Sequence, residues 1–350
     1  MFLFELGTAL LVSLAIEAKR DAWLAILFGM IGGFLLFFVY YGLYQYYPDS
    51  LPTEYTQKIL GKVFGRIISF FFLAHFIYMA ARDLRDFGEM LVTAFYTETP
   101  LFIVNTLLIL VVIYTVRKGI EVLARTGEVL FLIVYLLAIT GFILIIISGM
   151  VNLNNLKPVL EEGILLVIKI AFTQTVYFPF AEAIVFAMIL PYVNQPKKAK
   201  AAGLFALGLS GINLAIIMAL NVSVLGVDLV SSSPFPLLNT NQTIQVAEFL
   251  ERLDVYFMIG TIICGFFKIS LYCYAAIIGI ADLFNIKESS RLVYPIGIVI
   301  LFLSITIASN FSEHIREGLQ LVTFLVHLPF QVVIPVLLLI VAFFKKRKSR

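Results

Sequence analysis

The sequence predicts an all-α polytopic membrane protein, with about ten transmembrane helices in a five-plus-five inverted repeat whose helices 1 and 6 are broken. Three observations predict it. Hydrophobic residues make up 61% of the 350 residues and charged residues only 13%, with a mean hydropathy of +1.01, far from the composition of a soluble domain. Ten stretches are apolar over a length that crosses about 30 Å of hydrocarbon. Two of them, five apart, carry a helix breaker and a carboxylate near mid-depth: "FELGTALL" from Phe4 and "YFPFAEAIVF" from Tyr177.

In chain order the stretches are approximately 1–17, 22–46, 63–95, 101–116, 128–148, 164–192, 201–225, 255–281, 293–308 and 319–344, one transmembrane domain over 1–350. Spans 1–5 (residues 1–150) and spans 6–10 (residues 164–344) are the two expected repeats. The fourth and ninth spans are short and need help from flanking residues. An even count puts both termini on one side, and the basic residues say which, because cytoplasmic segments retain positive charge. Lys58, Lys62, Arg66, Arg117, Lys118, Arg125, Lys197, Lys198, Lys200, Lys287, Arg291 and the tail "KKRKSR" put sixteen on one side. Lys19, Arg20, Lys157, Arg252 and Arg316 make five on the other. The N- and C-termini are therefore expected in the cytoplasm. The basic tail reads as a topology anchor beside the lipid bilayer, with no nucleic acid as partner.

The polar connections 151–163 and 226–253 then lie outside, the second holding "SSSPFP" and an expected amphipathic helix, "QVAEFLERL". "NQT" at Asn241 matches a glycosylation sequon, a triplet too common to carry weight. Cys264 and Cys273 share one apolar run and would stand roughly 13 Å apart on a continuous helix, too far for a disulfide. They read as small core residues. No cleavable signal peptide is expected, since Met1 opens directly into apolar sequence without a basic n-region.

Pro179 falls close to the midpoint of span 6. It supplies no amide hydrogen and crowds the carbonyl of Thr175, so nearby backbone groups need other partners. A kinked helix and a glutamate acting as interhelical glue would each be ordinary alone. Together, with Glu182 three residues on, they point to a cavity or a charge partner. In span 1, Glu5, Gly7 and Thr8 reach the same depth, and Gly7 permits unwinding and close approach of a ligand. Amides around Gly7, Thr8 and Ala9 suit a carboxylate. Carbonyls from Thr175 to Phe178, with Glu182, suit an ammonium group, and Phe178 and Phe180 could wall a side-chain pocket. Tyr78 and His75 on span 3 rank lower, His75 reading first as a satisfied buried histidine. Lys268 lies roughly 20 Å deep in span 8, too deep to snorkel easily to the outer interface. It could reach inward, replace a sodium ion or pair with a carboxylate such as Glu182; a charge partner is favoured. Lys169, close to the start of span 6, is expected to reach the surface. "RDLRDFGE" at the end of span 3 reads as an interface extension with Arg82–Asp86 and Arg85–Glu89 pairs, or else as a vestibule or a subunit contact.

Several blocks in order, "FELGTALL", "AKRDAWLAILFGMIGG", "LPTEYTQKILGK", "RKGIEVLARTGEVL" and "FPFAEAIVFAMILP", resemble the B subunit of spore germinant receptors. These endospore germination permeases belong to the amino acid–polyamine–organocation transporter superfamily. The resemblance runs from Phe4 to the tenth span. It implies a protein of the bacterial spore inner membrane working with receptor A and C subunits, in which a small-molecule germinant, commonly an amino acid, starts germination. The basic loop "VRKGIEVLART" would then double as a docking site for the A subunit. Members usually carry about a dozen residues before the first block, and a half-helix reaching the midplane needs roughly ten. With three residues ahead of Phe4, the expectation is a natural start upstream of Met1, or a truncated and impaired first helix.

Enzymatic readings find no support in a chain with three histidines, two cysteines, no phosphate-cradling glycine loop and no nucleophile beside a base. No catalytic residue, metal or cofactor is expected. A proton- or cation-coupled amino acid permease would use the same broken-helix site as a receptor. Only the resemblance tips the reading toward a receptor.

Overall fold

The computed structural model describes residues 1–243 and 254–348, so the expected helix "QVAEFLERL" lies outside the described residues. Among the described residues every regular element is helical. The first span is α1 (Phe2–Leu6), a break at Gly7, a short 3-10 turn (Thr8–Leu10) and a 3-10 segment (Ile16–Asp21). Then come α2 (Ala22–Tyr46), α3 (Pro52–Leu60), α4 (Lys62–Ala94), α5 (Leu101–Arg117) and α6 (Ile120–Ile147). The sixth span starts as α7 (Ile164–Ile170) and widens into a π-helical turn (Ala171–Thr175). Past Pro179 it tightens into 3-10 segments (Phe180–Met188 and Leu190–Tyr192). The rest comprises α8 (Pro196–Leu225), α9 (Val227–Ser232), α10 (Pro236–Gln242), α11 (Asp254–Leu283), α12 (Val293–Thr306) and α13 (Phe311–Glu317). A π-helical stretch (Gly318–Val333) then runs into α14 (Ile334–Lys348). Among the described residues eight segments are long and apolar enough to cross a membrane, and α5 is a shorter apolar helix; the broken stretch Phe2–Leu10 precedes them.

The register slips where Pro179 withholds its amide. Val176 N reaches back to Ala171 O at 2.9 Å and Ala181 N to Val176 O at 2.9 Å, each closing a wide turn. The slip turns Thr175 toward α2, where its hydroxyl donates to Ala25 O at 2.9 Å. Glycines on α2 admit this approach: a Cβ on Gly32 would stand 2.5 Å from Val176 Cγ2, and one on Gly33 2.5 Å from Phe180 Cβ. At Gly29 a Cβ would collide with the Thr175 hydroxyl. Gly29→Val is therefore expected to cost about 1–3 kcal/mol or more through overpacking. Thermal unfolding of the purified chain checks this, with Gly141→Val, whose Cβ meets nothing within 4 Å, as the silent control.

The core centres on α11, buried without interruption from Phe267 to Gly279 between α1 and α4. Both cysteines are free and buried in this helix. By contrast α6 buries only Leu123, Val134 and Ile145. A small cluster of Leu43, Tyr55, Ile59, Leu338 and Ala342 joins α3 to α14, and Lys345 Nζ donates to Ile59 O at 2.7 Å. Tyr40 sits between span 6 and the last span. Its hydroxyl hydrogen is shared between Gln331 O at 2.5 Å and Ala181 O at 3.1 Å. At the opposite end of the bundle, Lys19 and Arg20 pair with Glu162 and Glu161 at 2.5 and 2.8 Å. The Lys19 ammonium holds the Glu162 carboxyl below its ordinary range. Lys169 is exposed.

Candidate functional site

The two breaks face each other across α11 and α4. Gly7 ends α1 so that Glu5 and Thr8 point inward, and the tight segment after Pro179 delivers Glu182 from the other side. Lys268 reaches between them from α11. Its ammonium meets Glu182 Oε2 at 2.5 Å, with both side chains fully buried. It also lies over the rings of Phe178 at 4.8 Å and Phe4 at 5.4 Å. The lysine stem passes so close to Gly7 that a Cβ there would strike its Cδ and stand 2.8 Å from Phe4 O. Only glycine leaves room for the lysine here.

More negative than positive charge surrounds this lysine. Glu5 is fully buried and neither carboxylate oxygen has a hydrogen-bond partner. Asp83, buried on α4, accepts from the Thr8 hydroxyl at 3.2 Å through Oδ1, while Oδ2 has no partner. Above the cluster is a cavity of about 50 Å³, room for a few waters. Thr8, Asp83, Phe178, Arg82, Asp86 and His327 line it.

The cavity is closed on the side of the 311–317 helix. Arg82 donates to His314 O at 2.7 Å and its guanidinium lies 5.8 Å from the Tyr78 ring centroid. Asp86 Oδ1 meets His314 Nε2 at 2.9 Å. Arg85 pairs with Glu89 at 2.7 Å and donates to Ile305 O at 3.1 Å. This corrects the reading of "RDLRDFGE" as an interface extension. Arg82, Asp83, Arg85 and Asp86 are all buried, and Arg82 is engaged by α13 instead of by Asp86. The expected Arg85–Glu89 pair forms, but the Arg82–Asp86 pair does not, because partners on α13 outcompete a neighbour on the same helix.

Of the residues singled out from sequence, Thr8 and Phe178 line the cavity, while Glu5, Gly7, Glu182 and Lys268 form the layer beside it. Pro179 caps the tight segment. Tyr78 supports Arg82. Ala9 lies in the apolar core, and Thr175 and Phe180 face α2, so these three do not line the cavity. His75 is buried with neither ring nitrogen hydrogen-bonded, stacked on Phe330 at 5.5 Å, which differs from the satisfied histidine expected. Asp83, Arg82, Asp86 and His327 were missed as cavity residues. One signal was available: pairing Arg82 with Asp86 and Arg85 with Glu89 leaves Asp83 as the odd charge.

The arrangement is similar to known proteins at three levels. In fold it is similar to MhsT, whose crystal structure is in complex with L-phenylalanine, with a TM-score of 0.65 over 97% of this chain and 86% of that one at 14% identity. That likeness shows the fold. In sequence it is 53% identical to Spore germination protein KB of Bacillus subtilis (strain 168), over 99% of this chain and 93% of the relative. It is 25% identical to Spore germination protein YndE of the same organism, over 77% and 74%. A family model described as spore germination protein matches residues 1–312. With eight helices among the described residues long and apolar enough to cross a membrane, two broken spans and this match, the chain is an integral membrane protein that belongs to the spore germination protein family.

Proposed function

We propose that the chain is the membrane subunit of a nutrient germinant receptor, and that a small germinant, an amino acid as the expected class, binds in the cavity between the two breaks. The observation that carries the reading is the meeting of both breaks at a cavity with opposite charges on its wall. Asp83 offers a carboxylate and Arg82 a guanidinium, so a zwitterion finds a partner for each end. The sequence pointed the ammonium to carbonyls from Thr175 to Phe178, with Glu182; this proposal gives it to Asp83, because Lys268 already meets Glu182 and Thr175 faces α2. In support, the structural neighbour MhsT was crystallised with L-phenylalanine. Closure by Arg82 and His314 supplies the bistable element a ligand would bias. The distribution of basic residues supports cytoplasmic termini in the spore inner membrane, and the relatives' role in germination supports A and C subunits as partners.

The test is a germination dose–response panel over amino acids and sugars, in spores whose sole receptor contains this chain. A saturable response to an amino acid is expected. Glu182→Gln should raise its half-maximal concentration severalfold at unchanged abundance, since Lys268 loses its nearest anchor. Absence of any response, with uptake of labelled amino acid into liposomes holding the purified chain, would establish a permease instead.

A further inference from the structure

The cluster beside the cavity contains more acid than base. Glu5, Asp83 and Glu182 face Lys268 from the first span, α4 and the sixth span. Even with Lys268 and a second positive charge beside Glu5, a carboxylate is left uncompensated. Asp86 and Arg82, four residues apart on α4, add one charge of each sign and leave the balance unchanged. Tyr272 on α11 and Tyr40 on α2 bring only hydroxyls.

Lone pairs tell the same story as the charges. Both oxygens of Glu5 and Oδ2 of Asp83 are buried with no donor in reach. A carboxylate so placed takes a proton in preference to staying charged. His75 and His327 are poorer places for that proton. His75 stacks on Phe330 with no acceptor at either nitrogen, and His327 Nδ1 meets the side-chain amide of Gln331 at 2.6 Å.

We propose that Glu5 and Asp83 form a proton-binding site that holds at least one proton in the closed state, adjoining the cavity through the Thr8–Asp83 hydrogen bond. Motion that parts the first span from α11 exposes these carboxylates to water and lets the proton leave. Opening is thereby linked to proton release, whatever the ligand. The folded chain binds more protons here than an unfolded one, so the site's own contribution to stability falls as pH rises above the ordinary carboxylate range, at most about tenfold in the unfolding constant per pH unit for each proton held.

Infrared spectroscopy of the full-length purified chain in lipid nanodiscs tests this. At neutral pH the wild type is expected to show the carbonyl stretch of a protonated, buried carboxyl group, sensitive to deuterium exchange. The band should shrink in Glu5→Gln and in Asp83→Asn, and persist in Glu161→Gln, which alters an exposed pair. A wild type without the band overturns the proposal, as does a band that both core variants leave whole. Should the variants not fold, the wild type alone decides: absence of the band at neutral pH overturns the proposal. This readout does not depend on germination, so failure here leaves the receptor reading standing.

Discussion

Lys268→Met is expected to be the most damaging single substitution in the chain, lowering stability by about 3–5 kcal/mol. Methionine fills much of the same volume, so the loss is electrostatic. Glu5, Asp83 and Glu182 would share a buried layer with no side-chain ammonium among them. Glu182→Gln is expected to cost far less, because Lys268 keeps Glu5 and Asp83 as neighbours. The measurement is thermal unfolding of the three purified chains, read beside membrane abundance. Acidification supplies protons to the orphaned carboxylates and should narrow the gap between Lys268→Met and wild type. Equal losses in the two variants would show that the Lys268–Glu182 pair, and not the wider cluster, sets the balance.

Gly7→Val is expected to weaken the response strongly while leaving most of the chain folded. The added Cβ strikes the lysine stem and crowds Phe4 O, which is backbone and cannot step aside. Lys268 must then leave Glu182, or the first span must shift; overpacking of this kind costs about 1–3 kcal/mol. Charged to ligand binding, that is roughly a five- to hundredfold rise in the half-maximal concentration. Gly7→Ala, with the same Cβ and less bulk, should fall between wild type and valine. A wild-type dose response in Gly7→Val would remove the first break from ligand recognition.

Much of the fold was legible because hydropathy and breakers report directly on the membrane. Gly7 and Pro179 interrupt apolar runs five spans apart, and the backbone departs from regular α-helix at both. Lys268 was legible too, since an ammonium that deep needs a carboxylate and Glu182 was at hand. The cavity wall was less so. Thr175 and Phe180 turned away because the π-helical turn before Pro179 rotates the register, and no periodicity argument survives such a slip. Asp83 and Arg82 were obscured by a charge pattern that satisfies itself on paper. Only contact with α13 shows that Arg82 is engaged elsewhere. His327 sits in a π-helical stretch, where again the helical wheel misplaces it.

Tyr40 deserves a mechanical reading. One phenolic hydrogen shared by the carbonyls of Ala181 and Gln331 pins the far half of the sixth span and the last span to the same post on α2. That shared hydrogen bond, worth about 1 kcal/mol, favours their moving together. The freedom to gape then belongs to the first span, which is severed at Gly7, and to the Arg82–His314 latch. The machine has a fixed jaw and a moving one, and the tyrosine marks which is fixed.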